Sequence, residues 1–236
     1  MNYLVNKGAG KSVIVFDWDG TLFDSMSYKR DNLCATFSTF SGASDKLIKV
    51  LHARYTGLPR RILFEHIAVT LRGNSLSEQE FFALSLDYSE RNIESSRSAK
   101  PFPDALSAIP LLQALGLKLY VSSSSNPEEL QKVVSKSGLA GSFEEIFGSE
   151  QSFNKGKEHL HCIAANQRVA LTAILFVGDD DQDEVLGAQA GVDTVRIIRN
   201  NDQGKPTNNC VIESLVTLAK ALGSANEKHF HDKIGS

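Results

Sequence analysis

One stretch constrains this chain more than any other: Val13-Ile14-Val15-Phe16-Asp17-Trp18-Asp19-Gly20-Thr21-Leu22-Phe23-Asp24-Ser25. Four apolar residues in a row predict a short strand buried on both faces, as in a parallel sheet covered by helices. Two carboxylates follow at once, then Gly20-Thr21. Sheets of this class bind ligands beyond the carboxyl ends of their strands. Asp17 and Asp19 are therefore expected at the mouth of a crevice, on backbone that the sheet holds rigid. Like charges this close need a cation or a shared proton to persist. A hard divalent ion held by oxygen ligands, such as Mg2+, is the natural partner.

Downstream the periodicity changes. Asp24 or Ser25 is positioned to cap a helix carrying Leu33, Phe37 and Phe40, which Gly42 stops. A second helix is expected over 44–56. Gly57-Leu58-Pro59 breaks it and starts a third, with Ile62, Leu63, His66 and Val69 spaced as one face. A fourth runs from Ser77 to about Ser96, with Ser77 and Glu80 spaced as a capping box. Four helices between two core strands exceed what a crossover needs, so residues 25–98 are read as an inserted helical cap. Such a lid excludes water from the acidic mouth when it closes. Lys100 to Asp104 forms the return hinge. The core, 1–24 and 99–223, then reads as an α/β doubly wound parallel sheet of Rossmann-like type, with strands near 117–121, 145–148, 173–177 and 194–198. Asn200 to Asn209 is a polar loop, a last helix covers Ile212 to Leu222, and 224–236 is expected to be a disordered tail. Residues 1–11 read as a loose arm.

Three further stretches fall where strands end or helices begin. Ser122-Ser123-Ser124-Ser125 closes a strand beside a helix start near Asn126, and a hydroxyl with a helix N-terminus favours an anion. Asn154-Lys155-Gly156-Lys157 opens a helix. Gly178-Asp179-Asp180-Asp181-Gln182-Asp183 follows a buried strand.

Taken in order, these stretches resemble the four motifs of the haloacid dehalogenase (HAD) superfamily. The first, an apolar strand followed by Asp-x-Asp-x-Thr, is matched completely, and the resemblance spans residues 12 to about 200. It is most like the phosphoglycolate phosphatase and beta-phosphoglucomutase branches with a helical cap. The resemblance implies a HAD-like core in which Asp17 is the nucleophile that forms an aspartyl-phosphate and Asp19 the general acid and base. It implies that Thr21 and Ser122, with Ser123 as alternate, bind the phosphoryl group. Lys155, or Lys157 failing that, offsets charge there. Asp179 and Asp183, with Asp17 and Asp19, form the metal site for Mg2+, while Asp180 and Asp181 are surface or capping residues. Arg60 or Arg61 in the cap loop would meet a second anionic group on the substrate.

The expected function is hydrolysis of a small phosphate monoester, such as a phosphoglycolate-like or sugar-phosphate substrate. Alternatives are a sugar phosphomutase, a phosphonate hydrolase using a cap lysine (Lys29, Lys46 or Lys49) as a Schiff base, and a binding protein that no longer turns over. Dehalogenation is not expected, since that branch lacks an acid at the position of Asp19. A net charge of −3 suggests neither nucleic acid nor an acidic membrane as partner. Three scattered cysteines fit no disulfide framework and point to a reducing, cytoplasmic setting. No stretch is long and apolar enough for a bilayer, and no apolar run before Val13 suggests a secretory leader. A monomer or homodimer is expected. Gly8-Ala9-Gly10-Lys11-Ser12 imitates the end of a nucleotide-binding loop, but Val5 stands where that motif needs glycine, and a strand rather than a helix follows.

Overall fold

The computed structural model describes residues 8–40, 42–199 and 210–234, with side chains through 225. Its core is one parallel sheet. The strands are β1 (Val13–Phe16), β2 (Lys118–Ser122), β3 (Glu145–Phe147), β4 (Ile174–Gly178), β5 (Asp193–Ile197) and β6 (Val211–Ile212). They lie in the order β3-β2-β1-β4-β5-β6. Phe16 pairs with Val121 on one side and Val177 on the other, so β1, β2 and β4 end at one level. The strand order reverses between β1 and β4, and the residues after those two strands share one crevice.

Alternation along the strands sorts side chains between two helical layers. Ile14, Phe16, Val121 and Val177 join α5 (Pro103–Ala114), α6 (Pro127–Lys136) and α9 (Leu215–Ile234) on one face. Val13, Val15, Tyr120 and Phe176 join α7 (Lys157–Gln167) and α8 (Asp181–Ala190) on the other. By the same alternation Asp17 and Ser122 point to the α7 side. Covering both faces explains why VIVF and ILFVG are apolar throughout.

Between β1 and α5 stand α1 (Met26–Phe37), α2 (Asp45–Tyr55), α3 (Arg60–Arg72) and α4 (Glu78–Ser95). They enclose a separate apolar cluster around Phe37, Phe64, Ile67 and Tyr88. The Ser77–Glu80 capping box opens α4, and left-handed Gly73 ends α3.

Several details differ from the sequence expectation. The buried face of α3 is Leu63, Phe64, Ile67 and Ala68, while Ile62 and Val69 are exposed. The face is set by where α1 and α4 pack, which spacing along one helix does not reveal. Ser25 occupies the N-cap of α1 without capping it, because its hydroxyl donates to Asp19 Oδ1 at 2.6 Å. Lys11 is no part of a loose arm: its buried ammonium donates to the carbonyls of Thr172 and Ile174 and to Asp193. Helix α9 runs to Ile234 rather than stopping at Leu222, there being no proline between them to end it. The expected loop 200–209 lies outside the described residues. No helix among the described residues is long and apolar enough to cross a membrane.

Candidate active site

The carboxyl ends of β1 and β4 carry the site. Asp17 follows β1 directly, and its amide donates to Val177 O, so the sheet itself fixes the residue. Asp179 follows β4. Asp183 sits on the first turn of α8, where it completes a reciprocal capping box with Asp180. One carboxylate oxygen from each of Asp17, Asp179 and Asp183 lies within 4.8 Å of the others, and all three residues are buried. Lys155 stands in the loop before α7 and reaches Asp17 Oδ1 at 2.7 Å and Asp183 Oδ1 at 2.5 Å. Thr21 Oγ1 donates to Asp179 Oδ1 at 3.2 Å. Gly20 has φ +82°, and a Cβ there would lie 2.5 Å from Asp179 Oδ2, so the turn admits no side chain.

The electrostatics of the cluster favour a bound cation. Burial, followed by repulsion from Asp183 and Asp19, pushes the Asp17 carboxyl up to about 7 against the pull of Lys155. Burial and the neighbouring Asp17 push Asp179 well above the usual carboxylate range. Against its own burial, Lys155 is held protonated by Asp17 and Asp183. Buried carboxylates that repel each other and offer only oxygen ligands fit a hard divalent ion.

Asp19 is not part of this group. Its carboxylate turns toward the cap, where Lys29 Nζ on α1 donates to Oδ2 at 2.6 Å and Ser125 Oγ donates to the same oxygen at 2.8 Å. Although burial opposes it, Lys29, Ser25 and Ser125 hold Asp19 below its ordinary value. Asp19 thus stands apart from the carboxylates that converge. Ser123 Oγ is 3.5 Å from Asp19 Oδ2. Ser122 ends β2 on the Asp17 side of the sheet, and its Oγ lies 2.8 Å from His159 Nδ1. Of the two candidate lysines, Lys155 joins the cluster, whereas Lys157 starts α7. Ser149 Oγ accepts from the Lys155 amide and donates to Ser123 O, stapling the two loops together.

A cleft opens between core and cap, lined by Asp19, Lys29, His52, Tyr55, Arg60 and Tyr88 among others. Arg60 lines it, but its guanidinium is already engaged. It pairs with Glu129 on α6, donates to Ser85 and Ser89, and lies over the Tyr88 ring. Arg61 points elsewhere, pairing with Glu78 beside Phe81. Sequence reasoning missed Glu129 and the placement of Lys29. Each is a common residue type on an ordinary helix, and only three-dimensional contact distinguishes it.

Comparison with known proteins matches residues 14–197 to the family model for haloacid dehalogenase-like hydrolases. A phosphoglycolate phosphatase of Psychrobacter arcticus (strain DSM 17307 / VKM B-2377 / 273-4) is 24% identical over 205 residues, covering 83% of this chain and 86% of the relative. A predicted phosphoglycolate phosphatase from Haemophilus somnus 129pt superimposes with a TM-score of 0.74 at 19% identity, covering 90% of this chain and 98% of that one. CbbY from Rhodobacter sphaeroides, solved in complex with phosphate, has a TM-score of 0.71 at 15% identity, covering 90% and 99%. At these identities the solved structures establish likeness of fold.

Proposed function

The chain belongs to the haloacid dehalogenase-like hydrolases, and on that premise we propose that it is a magnesium-dependent phosphatase acting on a small phosphate monoester through an aspartyl-phosphate on Asp17. The observation that carries this reading is the convergence of Asp17, Asp179, Asp183 and Lys155 at the ends of two adjacent parallel strands. Asp17, Asp179 and Asp183 would hold the magnesium ion, whose charge offsets the carboxylates and the phosphoryl oxygens.

Asp17 attacks phosphorus and the bond to the leaving oxygen breaks. Asp19 gives that oxygen a proton. Asp19 then takes a proton from water, which attacks the aspartyl-phosphate and frees inorganic phosphate and the Asp17 carboxylate. Lys155 and the Ser122 hydroxyl hold equatorial oxygens of the phosphoryl group. The cap closes over the cleft and keeps bulk water from the intermediate. Lys29 stabilises the carboxylate that Asp19 becomes once it has protonated the leaving oxygen, and that is the form that accepts the proton from water. Lys29 itself is kept charged by Asp19 and Glu129 despite its burial. A Schiff base needs a neutral amine, so this pairing weighs against phosphonate cleavage.

The test is phosphate release from a panel of phosphate monoesters, with magnesium and with chelator, on wild type and Asp17→Asn. The expected result is metal-dependent release from wild type, lowered at least about a thousandfold in the variant with its fold intact. Release that survives in Asp17→Asn removes Asp17 as nucleophile.

A further inference from the structure

Glu129 is a charged residue with no part in the chemistry above, yet its side chain is 1% exposed. It stands on the first turn of core helix α6 and points into the cap. Four cap groups meet it there. Arg60 pairs with Oε2, Ser89 Oγ donates to the same oxygen at 2.9 Å, and Asn92 Nδ2 donates to Oε1 at 3.0 Å. Lys29 Nζ is 3.6 Å from Oε1. Among the described residues, Arg60 and Lys29 are the two cations that line the cleft, and a buried carboxylate already faces each. When Asp19 gives or takes its proton, Glu129 remains beside Lys29.

This bears on the leaving group. A second anion entering the cleft would have to displace Glu129 from Arg60 or lie beside ions already matched. Displacement strands a buried carboxylate, and breaking a buried pair is expensive. The remaining polar lining among the described residues is uncharged: Tyr55, Thr56, Tyr88, Ser124, Ser125 and His52. His52 is buried and kept neutral near pH 7, chiefly by that burial and then by Arg30 and Lys29. Hydroxyls and a neutral imidazole recognise hydroxyls.

Building on the phosphatase reading, we infer that Glu129 is a specificity-determining residue that occupies the cap cations as an internal anion, so that the substrate is the phosphate monoester of an uncharged, hydroxylated alcohol. Esters whose leaving group carries a carboxylate or a second phosphate are then poor substrates. Replacing Glu129 by glutamine keeps the shape and most hydrogen bonds but releases a positive charge into the cleft.

The experiment compares glycerol 1-phosphate with 2-phosphoglycolate and 3-phosphoglycerate, in wild type and Glu129→Gln. Wild type is expected to favour glycerol 1-phosphate at least tenfold in kcat/KM, and Glu129→Gln to shift that ratio at least tenfold toward the anionic esters. Wild-type preference for the anionic esters overturns the inference, as does a ratio unmoved in a folded variant. Binding of the same three esters to Asp17→Asn protein, by calorimetry, decides the matter without turnover. Tighter binding of glycerol 1-phosphate supports the inference; equal or tighter binding of the anionic esters, or no binding of any, overturns it. Absence of turnover in wild type, by contrast, counts against the phosphatase reading alone.

Discussion

Lys29 Nζ, carried by the cap, lies 2.6 Å from Oδ2 of Asp19, carried by the core. The contact joins cap to core, and both groups are largely buried. Removing one partner of such a pair costs about 3–5 kcal/mol where the other cannot reach water. Lys29→Met is therefore expected to lower kcat/KM for phosphate esters at least tenfold while far-UV circular dichroism stays unchanged. Wild-type kinetics in this variant would mean that Lys29 does not act on Asp19.

The acidic cluster predicts how stability responds to metal. An ion that binds the folded state alone stabilises it by mass action, about 2.7 kcal/mol at a hundredfold excess over its dissociation constant. For a domain of this size that raises Tm by about 5–10 °C. Thermal melts with magnesium and with chelator measure the shift. It is expected to shrink by more than half in Asp179→Asn, because Asp179 is one of the three converging carboxylates.

Gly57 places the cap loop against the core loop that carries Asp180 and Gln182. Its φ is +77°, and a Cβ there would lie 2.9 Å from Gln182 Cβ and 3.0 Å from Asp180 Oδ2. Gly57→Ala is expected to raise KM several-fold, with a stability loss of only about 1–2 kcal/mol from the left-handed conformation. Steady-state kinetics beside urea unfolding separate the two effects. A large stability loss with unchanged KM would place Gly57 in folding rather than in closure.

Two buried histidines predict a pH effect. Burial brings His52 and His159 down to about 4, from an ordinary 6.5. Below pH 6.5 the unfolded chain takes up protons that the fold refuses. Their stabilising contribution is complete above 6.5 and is lost as pH falls toward 4. Asp17, raised to about 7, works in the opposite direction, because the fold takes its proton first. Wild type reports the sum, so the variants are what isolate each part. Urea unfolding at pH 7.5 and pH 5 is expected to show a smaller acid-induced loss in His159→Phe than in wild type; an equal loss would show that His159 is not held neutral.

The run of four helices, the parallel core and the strand-end residues Asp17 and Asp179 were legible in the sequence because local rules produce them, whereas Lys155 and Asp183 were expected from the resemblance to the family's motifs. An apolar run between helices makes a doubly covered strand, and a polar residue right after it stands at the crevice whatever packs elsewhere. The Ser77–Glu80 capping box is equally local. The rotation of α3, with Ile62 and Val69 outside, was not legible, because apolar spacing tolerates more than one buried face when the neighbours are unknown. Ser25 shows the same limit: it has the right residue type and position for a cap, but Asp19 offers its hydroxyl a stronger, charged acceptor.

The sequence by itself determined which residues sit at the strand ends, since an apolar strand and the residues that follow it are contiguous in the chain. Only the tertiary structure decided what the cap contributes. Arg60, by sequence a candidate for a second substrate anion, is turned to Glu129, sixty-nine positions away, and Lys29 to Asp19. Long charged side chains on helices reach many partners. Which one they take depends on burial and on where separate helices dock, quantities set by the packing of the whole molecule.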